Sequence, residues 1–327
     1  MPLDITPNQT YTRLQYIDQV FDEIVRFEGD RSAVYIDTAG IPTIAIGVNL
    51  QDVDTRDSVL VALGLDVQNP GNLSLQERTR ETFYRNEISA LLNNNYTQAQ
   101  LVNLRTSLDA LMSQRFSDPV YTSAEGVARS RNRNSFTLTT GTGGETRQLF
   151  DTSFQIFENR LLNSPNIPTQ LVDIPYSDER VVLYSMEFNG LLGLSPSFKR
   201  AVSDGNRARA WYEIRYGSNP LESADAGMLG PAVRLLGTYN RRNSESEKFG
   251  LFNDPADITV DEALNVVRYL STRLTFIETY LTQIGNKLIN GSTRILPAQS
   301  INTNFYQHAN QAIDFLSQLS GFSGASA

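Results

Sequence analysis

Apolar residues recur three and four apart at Ile17, Val20, Phe21, Ile24 and Val25. That spacing predicts an amphipathic helix over residues 13–28. Gly29 follows at once, where a left-handed residue closes a helix. The period then changes. Asp37-Thr38-Ala39-Gly40 has turn chemistry and separates two short strands. In the second strand Ile44, Ile46 and Val48 alternate with Thr43, Ala45 and Gly47. This predicts one core face and one face of small residues with room for a ligand.

Helical spacing dominates the remainder. Ser74-Leu-Gln-Glu77 reads as a capping box opening a helix to Leu92, and a second helix is expected from Gln98 to Arg115. Residues 130–148 are polar and glycine-bearing, which predicts a mobile loop or an exposed hairpin. Phe150, Phe154, Phe157 and Leu161 resume the helical period. Thr259-Val-Asp-Glu262 is another capping box, followed by a stripe at Leu264, Val267, Leu270, Leu274, Ile277, Leu281, Ile284 and Leu288. The stripe predicts one helix over 260–289, roughly 45 Å long at 1.5 Å per residue. A helix from Asn304 to Leu319, carrying Phe305, Ala309, Ile313, Phe315 and Leu316, is its natural cover.

Composition narrows the chemistry. A chain of 327 residues with net charge −8 can bury a sizeable core but offers no broad basic surface for nucleic acid. Arg129, Arg131, Arg133 and Arg147 could form a local basic face or a solvated loop. With no cysteine, disulfides and thiol chemistry are excluded. The one histidine, His308, lies in a polar tail, which argues against a Ser-His-Asp triad and against histidine-based zinc sites. Neither a transmembrane run nor an N-terminal apolar secretion segment is read. Thr142-Gly143-Gly144 lacks the lysine of a phosphate loop, and DPADITVDE lacks the ligand spacing of a calcium loop.

The chemistry-bearing residues gather in FEGDRSAVYIDTAGIPTIAIG, residues 27–47. Glu28 falls in the last turn of the first helix, at the negative end of its dipole, a place that favours a protonated carboxyl. A proton donor working near neutral pH needs such a bias. Asp37 closes the first strand and Thr43 sits in the second, where the pair could hold a water. Two carboxylates and a hydroxyl around one strand-turn-strand corner are what hydrolysis of a glycosidic bond requires.

This segment resembles the catalytic corner of the phage-type lysozymes, glycoside hydrolase family 24. Their pattern is a glutamate-glycine pair, an aspartate nine residues after the glutamate and a threonine six further on. Glu28-Gly29, Asp37 and Thr43 match it, as do Tyr35, Gly40, Ile44, Ile46 and Gly47. A histidine that often follows the last glycine is replaced by Val48. The resemblance implies Glu28 as general acid, with Asp37 and Thr43 positioning or activating water. Members invert the anomeric centre, which needs carboxyls roughly 6.5–9.5 Å apart. Residues 178–193 look like the family's core helix, and imply Phe188 and Asn189 as sugar contacts. Gly237-Thr-Tyr-Asn-Arg241-Arg242-Asn-Ser-Glu245 is similar to a motif near the family's C-terminus, with Arg241 and Arg242 as further substrate contacts. The residues themselves also permit packing for Phe188, and pairing of both arginines with Glu245 along a helix.

The expected architecture is α+β and predominantly helical: a two-lobed lysozyme-like fold with a small N-terminal β-sheet. Residues 1–92 form the catalytic lobe and connecting helix, 93–175 an insertion into the helical lobe, 176–252 the C-terminal lobe and 253–327 a further helical extension. The expected activity is hydrolysis of the β-1,4 bond between N-acetylmuramic acid and N-acetylglucosamine in peptidoglycan, without metal or cofactor, by a monomer. The chain would be made in the cytoplasm without a signal peptide and act in the periplasm or cell wall of a target bacterium. A phage endolysin, or an antibacterial secretion effector with an immunity protein or secretion-apparatus partner, fits this. A non-catalytic wall-binding module is the alternative.

Overall fold

The structure, a computed structural model, describes residues 9–37, 39–163, 174–188, 196–217, 231–280 and 309–319. It is mostly helical with a small three-stranded antiparallel sheet near the N-terminus, an α+β arrangement. Two compact units emerge from the contacts: Phe21–Ile156, and Met1–Val20 together with Phe157–Ala327.

The Phe21–Ile156 unit contains the sheet. Helix α1, Arg13–Glu28, runs into it and ends where the periodicity predicts. Gly29 follows at φ +75°, its N–H bonded to the Val25 carbonyl. Strands β1 (Arg31–Ile36), β2 (Pro42–Ala45) and β3 (Val48–Asn49) pair in that order. The second strand is shorter than the alternation suggests. Ala45 (φ +54°) and Gly47 (φ +92°) turn the chain back, so Val48 pairs with Ile44 in a separate strand.

Helix α2, Val53–Ala62, is capped by Asp52. Helix α3, Leu75–Leu92, opens with the expected Ser74–Glu77 capping box. The 3₁₀ turn Gln98–Gln100 leads into α4, Leu101–Ser117, as expected. The core joins Val34, Ile36 and Ile44 of the sheet to Tyr84, Ile88 and Leu92 of α3 and to Leu104, Leu108 and Met112 of α4. Residues after 93 were expected as an insertion into a helical lobe. Up to Leu149 they supply core to the sheet, because α4 packs on α3 and β1.

Residues 130–148 also depart from expectation. Phe136 and Leu138 are buried, Leu138 N–H bonds the Ser32 carbonyl at 2.8 Å, and Thr137 bridges Ala33. An edge strand presents unpaired backbone groups, and this segment satisfies some of those on β1. Arg133 pairs with Glu145, Arg147 with Asp151 and Arg129 with Glu125, so three of the four arginines considered for a basic face are tied to carboxylates.

Buried charge ties the helices together. Arg115 and Glu81 form a two-pronged pair, with Nη2 to Oε1 at 2.7 Å and Nε to Oε2 at 3.1 Å, and Arg115 also donates to the Gly64 carbonyl. Glu77 bridges two helix starts. Its Oε2 accepts from Ser74 N–H at 2.7 Å, and its Oε1 accepts from Thr122 and Ser123 N–H at 2.9 and 2.8 Å. Ser123 caps α5, Ala124–Ser130, and a Cβ on Gly126 would collide with Glu77 Oε1.

In the other unit, the end of α6 (Glu145–Asn163) joins α7, Asp178–Phe188, through Arg180 and Glu158 at 2.9 Å. Tyr16 stacks on Tyr176 with centroids 4.9 Å apart, and the Arg180 guanidinium lies over both rings. Helices α8 (Pro196–Ser203) and α9 (Arg207–Tyr212) lead through a π turn, Glu213–Gly217, and α10 (Pro231–Phe249) packs on α7 and on that turn. Helix α11, Val260–Ser271, has the expected Thr259–Glu262 box but is interrupted within the span expected over 260–289, of which residues 281–289 lie outside the described ones. Thr272 and Arg273 form a turn before residues 274–280 resume helix. The break leaves Leu274 exposed and buries Ala263, Val266, Leu270, Ile277 and Tyr280. Of the helix expected over Asn304–Leu319, residues 309–318 are helical and residues 304–308 lie outside the described ones.

Glu77 generates a testable stability term. Burial alone would raise its pKa, but hydrogen bonds from Ser74 and Ser123 outweigh burial and hold it down to about 2, against 4.5 in a free side chain. A depressed carboxylate stabilises the fold above its unfolded pKa, and the contribution is lost as pH falls through the folded value. Glu77→Gln is expected to lower unfolding free energy at neutral pH by about 2 kcal/mol. In denaturant titrations the gap to wild type closes as pH falls from 4.5 towards about 2.

Candidate functional site

Glu28, Asp37 and Thr43 all lie in the Phe21–Ile156 unit, and local geometry explains each position. Glu28 is the last residue of α1 and is half-buried. Its carboxyl packs against the β2–β3 turn: a Cβ added to Gly47 would stand 3.5 Å from Glu28 Oε2 and Cγ. The small-residue face of β2 is therefore not the open shelf expected from its alternation. Ala45 is buried, and the space over Gly47 is taken by Glu28 itself.

Asp37 follows β1 directly and organises the turn. Its Oδ1 accepts the N–H groups of Ala39 at 2.7 Å and Ile41 at 2.8 Å. Gly40, at φ +84°, is set against the next segment, since a Cβ there would stand 3.1 Å from the Tyr96 carbonyl. Oδ2 takes part in neither turn bond. Thr43 is 4% exposed, and its hydroxyl donates to the Ile41 carbonyl at 3.0 Å. With its proton engaged, Thr43 Oγ1 is left as an acceptor.

Tyr35 links these groups, although no role was assigned to it from the sequence. It is the cross-strand partner of Thr43, so the two share a face. Asp37, two residues along, continues that face. The Arg31 guanidinium lies 4.3 Å from the Tyr35 ring centroid and folds back over Gly29. The Tyr35 pKa is pushed up to about 12, by burial first and then by the negative charge of Glu28; Asp37 adds to the rise and Arg31 opposes it. One phenol thus feels both carboxylates. The signal available in the sequence was spacing alone: Tyr35 precedes Asp37 by two, the period of a strand.

Phe188, Arg241 and Arg242 belong to the other unit. Phe188 ends α7 half-buried, with its ring 4.8 Å from that of Phe157. Asn189 lies outside the described residues. Arg241 and Arg242 are buried on α10. Arg241 Nε meets Glu245 Oε1 at 3.1 Å, Arg242 Nη1 meets Glu245 Oε2 at 2.5 Å, and Ser185 of α7 hydrogen-bonds to both Glu245 and Arg241. Arg242 is enclosed completely, and burial lowers its pKa to about 10 despite Glu245. Its 2.5 Å approach to Glu245 lacks hydrogen-bonding geometry, so its hold is ionic rather than directional. In this arrangement Arg241 and Glu245 tie α10 to α7 through Ser185, while Arg242 pairs within α10.

Among the described residues, no cluster of three or more His, Cys, Asp or Glu side chains is placed to hold a metal ion. No helix among them is long and apolar enough to cross a membrane. Comparison of the chain with known protein families, curated proteins and solved structures found no match.

The corner can be tested without assuming any activity. In ¹³C-tyrosine NMR, Tyr35 of the wild type is expected to stay protonated beyond pH 10, with a midpoint near 12. Glu28→Gln removes the negative charge that, after burial, does most to raise this pKa, and is expected to move that midpoint downward. An unchanged midpoint would place Glu28 away from the phenol.

Proposed function

We propose that this chain is a glycoside hydrolase that cleaves peptidoglycan as an inverting muramidase. The observation that carries the reading is the packing of Glu28 against the Gly47 turn of the sheet that holds Asp37, Thr43 and Tyr35. The two-lobed lysozyme-like arrangement expected from the sequence belongs to the same proposal.

Glu28 donates its proton to the glycosidic oxygen, and the bond from that oxygen to the anomeric carbon breaks. A water attacks the opposite face of the same carbon. Asp37 Oδ2 accepts one hydrogen of this water and Thr43 Oγ1 the other, which turns a lone pair towards the sugar. Asp37 takes the released proton, and the new reducing end carries inverted configuration. The Asp37 turn bonds fix the carboxylate before substrate arrives, and such preorganisation lowers the cost of reaching the transition state.

The substrate is a neutral-to-anionic glycan strand and the chain carries net charge −8. Long-range attraction therefore does not deliver the enzyme to its substrate. This favours delivery by another agent, as for a secreted antibacterial effector with its immunity protein, over free diffusion of an endolysin.

Release of reducing ends from purified peptidoglycan, with mass analysis of the fragments, tests the reading. Glu28→Gln is expected to reduce turnover by about 10²–10⁴-fold while the circular dichroism spectrum is retained. Asp37→Asn and Thr43→Ala are expected to reduce it with a smaller change in KM. Wild-type protein that binds peptidoglycan but releases nothing between acid and neutral pH would instead be a wall-binding module.

A further inference from the structure

Within the Met1–Val20 and Phe157–Ala327 unit, a cavity of about 370 Å³ opens beside the start of α11. It lies far along the chain from Glu28, Asp37 and Thr43 and uses none of them. Arg207 is buried beneath it, with Nε on Asn253 Oδ1 at 2.9 Å and Nη2 on Glu179 Oε1 at 2.6 Å. Asn206 Oδ1 is likewise engaged, by the Arg209 N–H at 3.0 Å. Because both amide oxygens are occupied, the orientations of these side chains are fixed. Each has an NH₂ group that makes no hydrogen bond among the described residues.

The acceptors are supplied by α11. Glu262 is used internally, taking the Asn253 and Thr259 N–H groups at 2.7 and 3.0 Å. Asp261 and Asn265 are exposed on the same rim. Leu251, Ala208 and Val266, all buried, give the cavity an apolar floor.

We infer that this cavity binds a neutral saccharide unit. Sugar hydroxyls both accept and donate, matching two oriented amide donors and the Asp261 carboxylate. A sugar's C–H face suits the apolar floor, and the volume lies within the range of small-ligand pockets. Charge selects further. Arg207 is neutralised by Glu179, so Asp261 and Glu262 leave the rim acidic. An acidic sugar is repelled where a neutral hexosamine is accepted.

The site does not rest on the hydrolase reading and would serve a wall-binding module equally. Its test is titration of ¹⁵N-labelled full-length chain with N-acetylglucosamine and, separately, with N-acetylmuramic acid. The expected result is saturable shifts of the Asn206 and Asn253 side-chain amides and of the Ala208 and Val266 backbone amides with the neutral sugar, and weaker binding of the acid. Asp261→Ala with Asn265→Ala changes only exposed groups and is expected to weaken binding by about tenfold or more. The Glu28→Gln protein is expected to bind as wild type does, which separates this site from the proposed catalytic corner. Absence of shifts at these amides, equal binding of both sugars, or unaltered binding by the double variant would overturn the assignment.

Discussion

Strands of six, four and two residues cannot sustain a sheet by their own pairing. Everything at the candidate corner depends on burying one face of that sheet against α3 and α4. Val34, Ile36 and Ile44 meet Ile88, Leu104 and Leu108 in one continuous core. Burying a large aliphatic side chain contributes roughly 1.5–3 kcal/mol, so a handful of such contacts outweighs the few backbone bonds of the strands. The edge of β1 is then covered by residues 136–138, which carry two buried apolar side chains and a backbone bond to Ser32. Residues 104–149 are therefore part of what holds the corner in shape.

Glycine placement sets the fine geometry. Gly29 ends α1 with positive φ, so Glu28 is presented at the helix terminus while the chain turns into β1. Gly47 returns the chain from β2 to β3 and leaves the space in which the Glu28 carboxyl rests. Asp37 is fixed by the turn it helps to form, and the Arg31 guanidinium lies over Tyr35. The result is a half-buried acid, a bound carboxylate with one oxygen outside the turn, and a phenol that keeps its proton.

Charge is otherwise used inside the protein. Arg115 with Glu81, Arg207 with Glu179, and Arg241 and Arg242 with Glu245 are ion pairs almost without exposure. Such pairs add little net stability, because desolvation offsets their attraction, but losing one partner strands a buried charge. Arg115–Glu81 joins α4 to α3 and Arg207–Glu179 joins α9 to α7, so these two fix the relative placement of the helices they join, whereas the Glu245 pairs lie within α10. Arginines committed in this way cannot form a basic surface, which agrees with the net charge of −8.

Local features were legible in the sequence because neighbouring residues decide them. The end of α1 at Glu28, the capping boxes at Ser74 and Thr259, and the Asp37–Gly40 turn follow from spacing and from the chemistry of glycine, serine, threonine and aspartate. The Glu28, Asp37 and Thr43 register was visible for the same reason. Tertiary structure decided what depends on distant partners. Phe136 and Leu138 read as part of a polar loop until the free edge of β1 is in place to receive them. Arg241 and Arg242 pair with Glu245 at spacings visible in the sequence, but that Ser185 of α7 bonds to Glu245 and Arg241 was not legible, because it lies some 60 residues away in the chain. The stripe after Thr259 carries on past Ser271 in pattern, yet the helix turns at Thr272 and Arg273. Periodicity records which residues favour burial, but only packing fixes where the backbone bends to bury them.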